Sequence, residues 1–306
     1  MSVLRLRNFV LSSLAVTALV SSACDRPRAD TAGATAVAAA RIRDDFGQEV
    51  VPGALPSRIV SLNPTTTELL FAIGAGNRLV GRTHYDLWPD SAKLIPDLGP
   101  GIRPNVEAVV ATHPDLVLLY GSADNRPAAD RLREAGIREL ALKIDRIEDF
   151  RRATRMLGSL VGDTIRARTV VDSVDRTLER VRAATAARPR VTVFFHSWEK
   201  PLITLGGGSF MSELVTIAGG RNIYESLAGP SSTVTLEDVV RLDPDVVLTH
   251  PAERARMLAS DRWRGLRAVR EGRVLAYDTN LVARPSVKLG EAAVWLARLL
   301  HPGVVR

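Results

Sequence analysis

Residues 107–118 read EAVVATHPDLVL, and residues 237–248 repeat the pattern as EDVVRLDPDVVL. Each copy predicts a short amphipathic helix, a Pro-Asp turn that ends the helix, and a continuous apolar strand. Such an apolar run is typical of a strand that is buried on both faces of a parallel sheet. A helix that leads into a buried strand is half of an α/β unit, so the recurrence predicts two similar α/β lobes.

The similarity extends to both sides of this stretch. Strand-like runs at 58–62 and 190–195 precede helices that end near Gly74 and Gly219, and short apolar strands at 137–142 and 274–277 close the two copies. Each half reads as strand, helix, short strand, helix, strand, helix, strand, which predicts two Rossmann-like α/β lobes. The first copy has extra residues around 81–89, and inserted loops on a repeated scaffold tend to carry function.

Between the copies, apolar residues recur at helical spacing from 145 to 188. Gly162 interrupts the pattern, and Asp163 can cap a second helix. We therefore predict lobes at 42–162 and 189–306, joined by a single long helix at 163–188. A stiff connection of this kind allows small twisting motions rather than wide hinge closure.

The N-terminus has the features of an export signal. Two arginines precede the apolar run 9–20, which is too short to span a bilayer, and small residues then lead to Cys24, the only cysteine. We predict a lipoprotein signal peptide at 1–23, lipid attachment at Cys24 and a flexible tether at 24–41. Ser21 occupies a position where lipoprotein signals usually have leucine, so a plain secretory signal with an incidental cysteine is the alternative.

The composition argues against two classes of function. The net charge of +7 is spread among acidic neighbours, which is typical of a solvated surface rather than a nucleic-acid-binding stripe. The sequence shows no nucleophile–base pair, no paired catalytic carboxylates and no phosphate loop. We therefore expect a protein that is not an enzyme and has no nucleic-acid partner. We also expect it to be a monomer.

Five groups of residues, taken in order and spacing, resemble a known family. They are 58–64 with 67–70, 81–86 with Trp88-Pro89, 114–117, 207–210 with 218–223, and Arg284-Pro285. Together they cover about 42–302 and resemble the solute-binding proteins of cobalamin/ferric-siderophore ABC importers, the helical-backbone class of periplasmic binding proteins. The loop after residue 81 and the Arg-Pro stretch resemble the cobalamin-binding branch of that family more than the siderophore-binding branch.

This resemblance implies an exported protein of the periplasm or cell surface that captures a cobalt corrinoid between its lobes. It also implies delivery of the ligand to a membrane permease that is driven by an ATPase. Haem or a ferric siderophore is the alternative ligand, and a metal-chelatase-like enzyme is a further alternative.

Aromatic residues after predicted strands are the main candidates for ligand contacts. Tyr85 and Trp88 lie in the extra segment of the first copy, and Trp198 follows a strand of the second. Open α/β sheets bind ligands outside the carboxyl ends of their strands, and aromatic side chains provide flat area for a macrocycle. We expect these three residues at facing edges of a cleft, together with Phe210 and Arg284. The alternatives are ordinary packing and, for Arg284, an ion pair with a surface acid.

Three histidines, His84, His196 and His250, also follow predicted strands. If they converged they could bind zinc or an iron porphyrin, but no close metal-binding spacing is present. We predict no metal or cofactor held by the protein itself, and we treat His84 as a candidate ligand contact. The glycines at 206–208 could hold an anion, but we favour a turn in which Ser209 caps the next helix.

Glu107 and Glu237 occupy matching positions in the first turns of the repeated helices, where an acid can simply complement the helix dipole. Asn105 and Thr235 are the expected N-caps, and Thr235 with Asp238 fits a capping box. In the family that the chain resembles, one exposed glutamate per lobe docks onto arginines of the permease. The resemblance therefore implies that Glu107 and Glu237 are docking residues.

Overall fold

The first lobe contains a four-stranded parallel sheet. The computed structural model describes residues 42–50 and 53–304, and a short antiparallel hairpin precedes the sheet. The elements of this lobe are β1 (Ile42–Arg43), β2 (Glu49–Val50), β3 (Ile59–Leu62), α1 (Pro64–Ala72), β4 (Leu79–Gly81), α2 (Val106–Val110), β5 (Leu116–Tyr120), α3 (Arg126–Glu134) and β6 (Arg138–Leu142). The strand order is β4-β3-β5-β6, and every pairing in this sheet is parallel.

Two helices follow the first sheet, α4 (Ile147–Val161) and α5 (Thr164–Thr185). Gly162 ends α4 in a left-handed conformation, and the Asp163 carboxylate accepts a hydrogen bond from the Arg166 N–H at 2.8 Å. These two residues separate the helices as the sequence predicted. The long helix is therefore confirmed, although it ends at Thr185 rather than at residue 188.

The second lobe repeats the topology of the first. Its elements are β7 (Val191–His196), β8 (Ile203–Leu205), α6 (Phe210–Ile217), β9 (Gly220–Asn222), β10 (Ser231–Thr233), α7 (Leu236–Leu242), β11 (Val246–Thr249), α8 (Pro251–Ala259), α9 (Arg267–Arg270), β12 (Val274–Ala276), α10 (Thr279–Val282) and α11 (Leu289–Leu300). The parallel order β9-β7-β11-β12 matches the order of the first sheet. An antiparallel ribbon of β8 and β10 is an addition that the sequence did not predict.

The repeated stretch is preserved in detail. Residues 111–119 and 241–249 show the same succession of exposed, half-buried and buried positions. His113 and Asp243, which precede the two prolines, both have left-handed φ values, 50° and 39°. Histidine and aspartate are among the residue types that tolerate this conformation. The equivalence predicted from the two copies therefore reaches the level of individual backbone angles.

The aspartates of the two Pro-Asp turns hold the first strand of each sheet. Asp115 accepts hydrogen bonds from the Ser57 N–H and hydroxyl at 2.7 and 2.9 Å. Asp245 accepts from the Thr192 N–H and hydroxyl, both at 2.8 Å. Burial works to raise the pKa of each carboxyl, but these hydrogen bonds outweigh it and lower the pKa overall. In both lobes, the aspartate of the Pro-Asp turn therefore fixes the start of the first strand of the sheet.

The first lobe has the longer connection between its second strand and second helix, as the sequence predicted. This connection runs from residue 82 to residue 105, between β4 and α2, and contains a 3-10 helix at Asp90–Leu94. The corresponding segment of the second lobe runs only from residue 223 to residue 235. The longer connection of the first lobe therefore includes the predicted 81–89 and continues to residue 105.

The hydrophobic core is shared between the lobes on one face of the two sheets. One cluster includes buried residues of β3, α4, α5, β7, α6 and α11, and smaller clusters cover the opposite faces. Ile59 faces the shared cluster, whereas the next residue, Val60, faces the smaller cluster of the first lobe. The alternation explains the continuous apolar runs, because each central strand is buried on both faces.

Further contacts join the lobes beyond the long helix. The Phe210 N–H donates to the Asp145 carbonyl at 2.8 Å, and Arg146 pairs with Glu213 at 2.8 Å. The connection is consequently thicker than the single helix that the sequence predicted, because α11 also packs against α5 and α6. A shared core and cross-lobe bonds limit relative motion of the lobes.

Two predictions concern residues at the N-terminus. The predicted signal peptide at 1–23 and the tether at 24–41, including Cys24, lie outside the described residues. Within residues 42–50 and 53–304, no helix combines the length and apolar character needed to cross a bilayer.

Candidate ligand-binding site

A cavity of about 880 Å³ lies between the two lobes. This volume is within the range of about 300–1,000 Å³ that is typical of small-molecule sites. Its walls come from the carboxyl ends of strands in both sheets: Asn63 follows β3, Tyr120 ends β5, Trp198 follows β7 and Tyr277 follows β12. Parallel α/β sheets bind ligands at this edge, so the cavity is the candidate ligand-binding site.

Aromatic side chains form much of the wall on the second lobe. They are Phe195, Trp198, Phe210 and Tyr277, and the rings of Phe195 and Tyr277 are 6.4 Å apart. Trp198 is 62% exposed, yet its indole N–H donates to the Lys200 carbonyl at 3.0 Å. Its backbone N–H and carbonyl both bond to Ile203 of the antiparallel ribbon. The ribbon therefore presents a large, fixed aromatic surface to the cavity.

The first lobe contributes more polar groups to the cavity. The Tyr120 hydroxyl donates to the Asp145 carboxylate at 2.6 Å. Burial and this hydrogen bond raise the pKa of Tyr120, and burial raises the pKa of Tyr277. Both phenols therefore remain protonated at neutral pH, and neither is prepared to act as a phenolate.

Arg284 reaches the cavity from the segment after α10. Its guanidinium Nε donates to the carboxylate of Glu68, in α1 of the first lobe, at 2.6 Å. Among the described residues that line the cavity, Arg284 is the only cation. The ion pair offered as an alternative for Arg284 is therefore present, but its acid is buried and belongs to the other lobe.

Tyr85, Trp88 and His84 lie in the inserted loop and are not among the residues that line the cavity. The His84 and Tyr85 rings are 4.0 Å apart, and the Lys288 ammonium of the second lobe lies 4.7 Å from the centre of the Trp88 ring. The structure thus brings Trp198, Phe210 and Arg284 together. It leaves Tyr85, Trp88 and His84 on a neighbouring loop, where Trp88 contacts the opposite lobe.

A buried aspartate anchors the loop. Asp86 is 1% exposed and accepts hydrogen bonds from the Thr67 hydroxyl at 2.7 Å and from the Thr83 hydroxyl at 2.8 Å. Burial raises the pKa of Asp86, against the opposing influence of these hydrogen bonds and of the Arg284 charge. The base of the loop is therefore fixed to α1, while the side chains of Tyr85 and Leu87 remain exposed.

The three histidines occupy separate environments. His196 is buried, with Nδ1 2.9 Å from the Thr249 hydroxyl and Nε2 2.8 Å from Glu199. His250 caps α8 by accepting from the Ala252 N–H at 3.2 Å. Among the described residues, no three side chains of His, Cys, Asp or Glu are grouped as a metal site.

The glycine-rich turn uses its backbone donors internally. The N–H groups of Gly206, Gly207 and Gly208 donate to carbonyls of residues 227–230 at 2.7–3.2 Å. A Cβ at Gly207 would come within 2.0 Å of the Glu225 carbonyl oxygen, so the close approach requires glycine. Ser209 caps α6 by accepting from the Ser212 N–H. The capping interpretation is confirmed, and the donors needed for an anion are already occupied.

Glu107 and Glu237 are both exposed in the first turns of α2 and α7. Neither has a hydrogen-bond or ion-pair partner within the described part of the chain. Asn105 and Thr235 cap the two helices as predicted, accepting from N–H groups at 3.2 and 3.1 Å. The predicted capping box is only half formed, because the Asp238 carboxylate bonds to the Tyr224 hydroxyl and Arg241 instead.

Sequence reasoning missed several residues of the cavity, among them Asn63, Tyr120, Asp145 and Tyr277. A usable signal was present, because Tyr120 and Tyr277 directly end or follow apolar strands. The strand-exit rule that selected Trp198 would have selected both tyrosines if it had been applied to every strand.

Two lobes with parallel sheets of the same order, a joining helix and a cavity between their strand ends define a helical-backbone, two-lobed binding protein. Residues 59–281 match the family model described as periplasmic binding protein, so the chain belongs to that family. Members of this family are binding proteins rather than enzymes. The fold and class expected from the sequence are thereby confirmed.

Known proteins similar to this chain differ in their ligands. The ABC transporter substrate-binding lipoprotein YvrC of Bacillus subtilis is 29% identical over 306 residues, covering 96% of each chain. The vitamin B12-binding protein of Vibrio parahaemolyticus is 24% identical over 240 residues, covering 78% of this chain and 86% of that protein. A periplasmic heme binding protein from Pseudomonas aeruginosa matches in fold with a TM-score of 0.72 at 24% identity, covering 81% of this chain and 94% of that one.

Proposed function

We propose that the protein is the extracytoplasmic substrate-binding component of an ABC importer and that it captures a corrinoid in the interlobe cavity. The name of the Bacillus relative supports the importer class, and the name of the Vibrio relative supports the corrinoid. The observation that carries it is the composition of the cavity: aromatic walls, nearly balanced charge and, among the described residues, no group of side chains that could hold a metal. A corrinoid suits such a site, because its cobalt carries its own axial ligands and its rim is made of neutral amides.

Haem is less well suited to the same cavity. Haem iron in proteins is usually held by histidine, cysteine, tyrosine or methionine. Within the described residues, no histidine or cysteine lines the cavity, and its two tyrosines have raised pKa values. Met211 is a lining residue, but it is only 2% exposed. Haem would therefore have to bind without a prepared axial ligand.

A ferric siderophore of the catecholate type is also less well suited. Such a chelate is strongly anionic and needs several cations around it. Arg284 is the one cation among the described lining residues, and Glu68 already offsets its charge. The cavity therefore favours a ligand of low net charge.

Delivery to the membrane follows from the same proposal. Glu107 and Glu237 are exposed, equivalent and without partners in the described residues, which suits docking onto cationic groups of a permease.

Lipid attachment at Cys24 would keep the protein beside that permease, and the name of the lipoprotein relative supports it. Labelling with a palmitate analogue should tag the wild type and spare Cys24→Ser. Equal labelling of both proteins would contradict the anchor.

The ligand is tested by incubating the purified protein with cyanocobalamin, haemin and a ferric catecholate siderophore, each followed by desalting. We expect the absorbance of the corrinoid to be retained at one equivalent and the other two compounds to be lost. Retention of haemin or the siderophore alone would overturn the corrinoid assignment while leaving the importer class intact. Loss of all three would count against this class of ligand altogether.

A further inference from the structure

An ion pair joins the two lobes at the edge of the cavity. Glu68 lies in α1 of the first lobe and is 2% exposed, and it is not among the residues that line the cavity. Its partner Arg284 does line the cavity and comes from the second lobe, 216 residues away in sequence. The guanidinium therefore lies between the Glu68 carboxylate and the cavity.

The contact uses one nitrogen and one oxygen only. Nε of Arg284 donates to Oε1 of Glu68, whereas Oε2 is buried and has no hydrogen-bond partner among the residues that the structure describes. Arginine and carboxylate groups frequently pair through two parallel hydrogen bonds. Leaving a buried carboxylate oxygen unsatisfied is unfavourable. Because the contact uses only Nε, the terminal nitrogens Nη1 and Nη2 of Arg284 have no partners among the described residues and can donate to a ligand in the cavity.

The guanidinium is also held by its electrostatic surroundings. Asp86, a second buried acid of the first lobe, lies close enough for the charge of Arg284 to oppose the rise in its pKa caused by burial. Two acids of the first lobe thus attract one cation of the second. An arginine held in this way loses little conformational freedom when it binds a ligand.

We propose that Glu68 is a positioning residue, which orients Arg284 from the opposite lobe so that its terminal N–H groups donate to acceptor oxygens on the rim of the ligand. The acceptor class is an amide carbonyl or a phosphate oxygen, both of which guanidinium groups bind well. This inference rests on the proposed corrinoid function. It adds that the contact between Arg284 of the second lobe and the ligand depends on Glu68 of the first lobe, which does not touch the ligand itself.

A purely structural role for Glu68 would be to clamp the lobes together. The chain offers a matched control, because Arg146 and Glu213 also pair across the lobes, at 2.8 Å, and neither lines the cavity. If clamping were the whole role, Glu213→Gln would weaken ligand binding as Glu68 substitutions do.

The test is a double-mutant cycle on affinity for cyanocobalamin, measured by calorimetry. Arg284→Met should raise Kd about tenfold, the usual effect of losing a hydrogen bond to a charged group. Glu68→Leu should raise Kd about fivefold, and Glu68→Gln, which keeps an acceptor for Nε, should recover most of that loss. The Glu68→Leu/Arg284→Met double variant should bind no more weakly than Arg284→Met alone, because Glu68 acts only through Arg284.

Thermal unfolding of each variant and the Glu213→Gln control complete the experiment. Wild-type affinity in both Glu68 variants, multiplicative losses in the double variant, or an equal loss in Glu213→Gln would overturn the proposal. Repeating the cycle with cobinamide, which lacks the nucleotide phosphate, identifies the acceptor: a persistent Arg284 effect indicates amides, and its disappearance indicates phosphate. If the wild type binds haemin and no corrinoid, the corrinoid function fails, and the same cycle with haemin, whose carboxylates are acceptors, decides the role of Glu68.

Discussion

The two lobes share the same scaffold and differ in the segments that are added to it. Both have the same parallel strand order, the same left-handed residue before a Pro-Asp turn, and an aspartate that holds the first strand. The first lobe adds the loop 82–105, none of whose residues lines the cavity, whereas the second adds the ribbon of β8 and β10, which forms part of the cavity wall. The repeated elements form the scaffold of both lobes, and of the two additions only the ribbon contributes to the wall of the candidate site.

The two additions also differ in their relation to the cavity. The ribbon places Trp198 in the cavity wall, whereas the loop places Trp88 against Lys288 of the opposite lobe. The second lobe consequently supplies most of the aromatic surface, and the first lobe supplies polar groups such as Asn63 and Asp145. An asymmetric ligand with one flat face and one polar edge would use both walls.

The largest expected effect concerns the two equivalent aspartates. Asp115→Ala and Asp245→Ala should each lower the free energy of unfolding by about 3 kcal/mol, because each change removes several hydrogen bonds to a charged acceptor at the start of a strand. Urea denaturation measures both. Asp130→Ala, which breaks only an exposed ion pair within α3, should change stability by less than about 1 kcal/mol. A large effect at only one of the two aspartates would break the energetic equivalence of the lobes.

Acid should reduce the contribution of these carboxylates. Hydrogen bonds hold the pKa of both below the ordinary value of 3.8, so their contribution is present above that value and is lost as pH falls through the lowered pKa. The difference in stability between the wild type and the aspartate variants should accordingly narrow below about pH 4.

A smaller effect should distinguish the aromatic residues of the two additions. Trp198→Ala should weaken cyanocobalamin binding by about 2 kcal/mol, in the range of a buried aromatic anchor. Tyr85→Ala should cost less than about 1 kcal/mol, because the Tyr85 ring does not line the cavity. Calorimetry on both variants gives the comparison. Equal losses would mean that the inserted loop closes over the ligand when it binds.

The smallest expected effect concerns the docking glutamates. Glu107→Arg with Glu237→Arg should reduce uptake by cells about tenfold while leaving Kd for the ligand unchanged, since charge complementarity governs encounter and register. Each single reversal should have a similar partial effect, because the lobes are equivalent. The control is Glu134→Arg, an exposed residue at the other end of a helix, in α3. Normal uptake by the double variant would leave the glutamates as simple complements of the helix dipole.

The order of elements could be predicted because the repeat makes each copy support the interpretation of the other. Hydrophobic periodicity and the Pro-Asp turns located three strands of each parallel sheet, whereas the short strands β4 and β9 were predicted only by their place in the order of elements. The ribbon of β8 and β10 escaped prediction, because three-residue strands have too short a pattern to stand out. The core shared by both lobes was not predicted for a different reason, because it depends on how α5, α6 and α11 pack against one another.

The site was only partly accessible from the sequence. Trp198, Phe210 and Arg284 were predicted from strand exits and family resemblance, and all three line the cavity. Tyr85 and Trp88 were predicted because they lie in the inserted segment, and they do not line it. Glu68 gave no local signal, because it occupies an ordinary position in an apolar helix and its partner is far away in the chain. Contacts between distant segments are fixed by tertiary packing, which residue patterns do not encode locally.

The most direct test of a cavity built by both lobes is amide hydrogen exchange with and without cyanocobalamin. The ligand should protect segments of the first lobe around Tyr120 and Asp145. It should equally protect segments of the second lobe around Trp198, Phe210 and Arg284. Protection confined to one lobe, or found only on the inserted loop 82–105, would contradict a site formed between the two lobes.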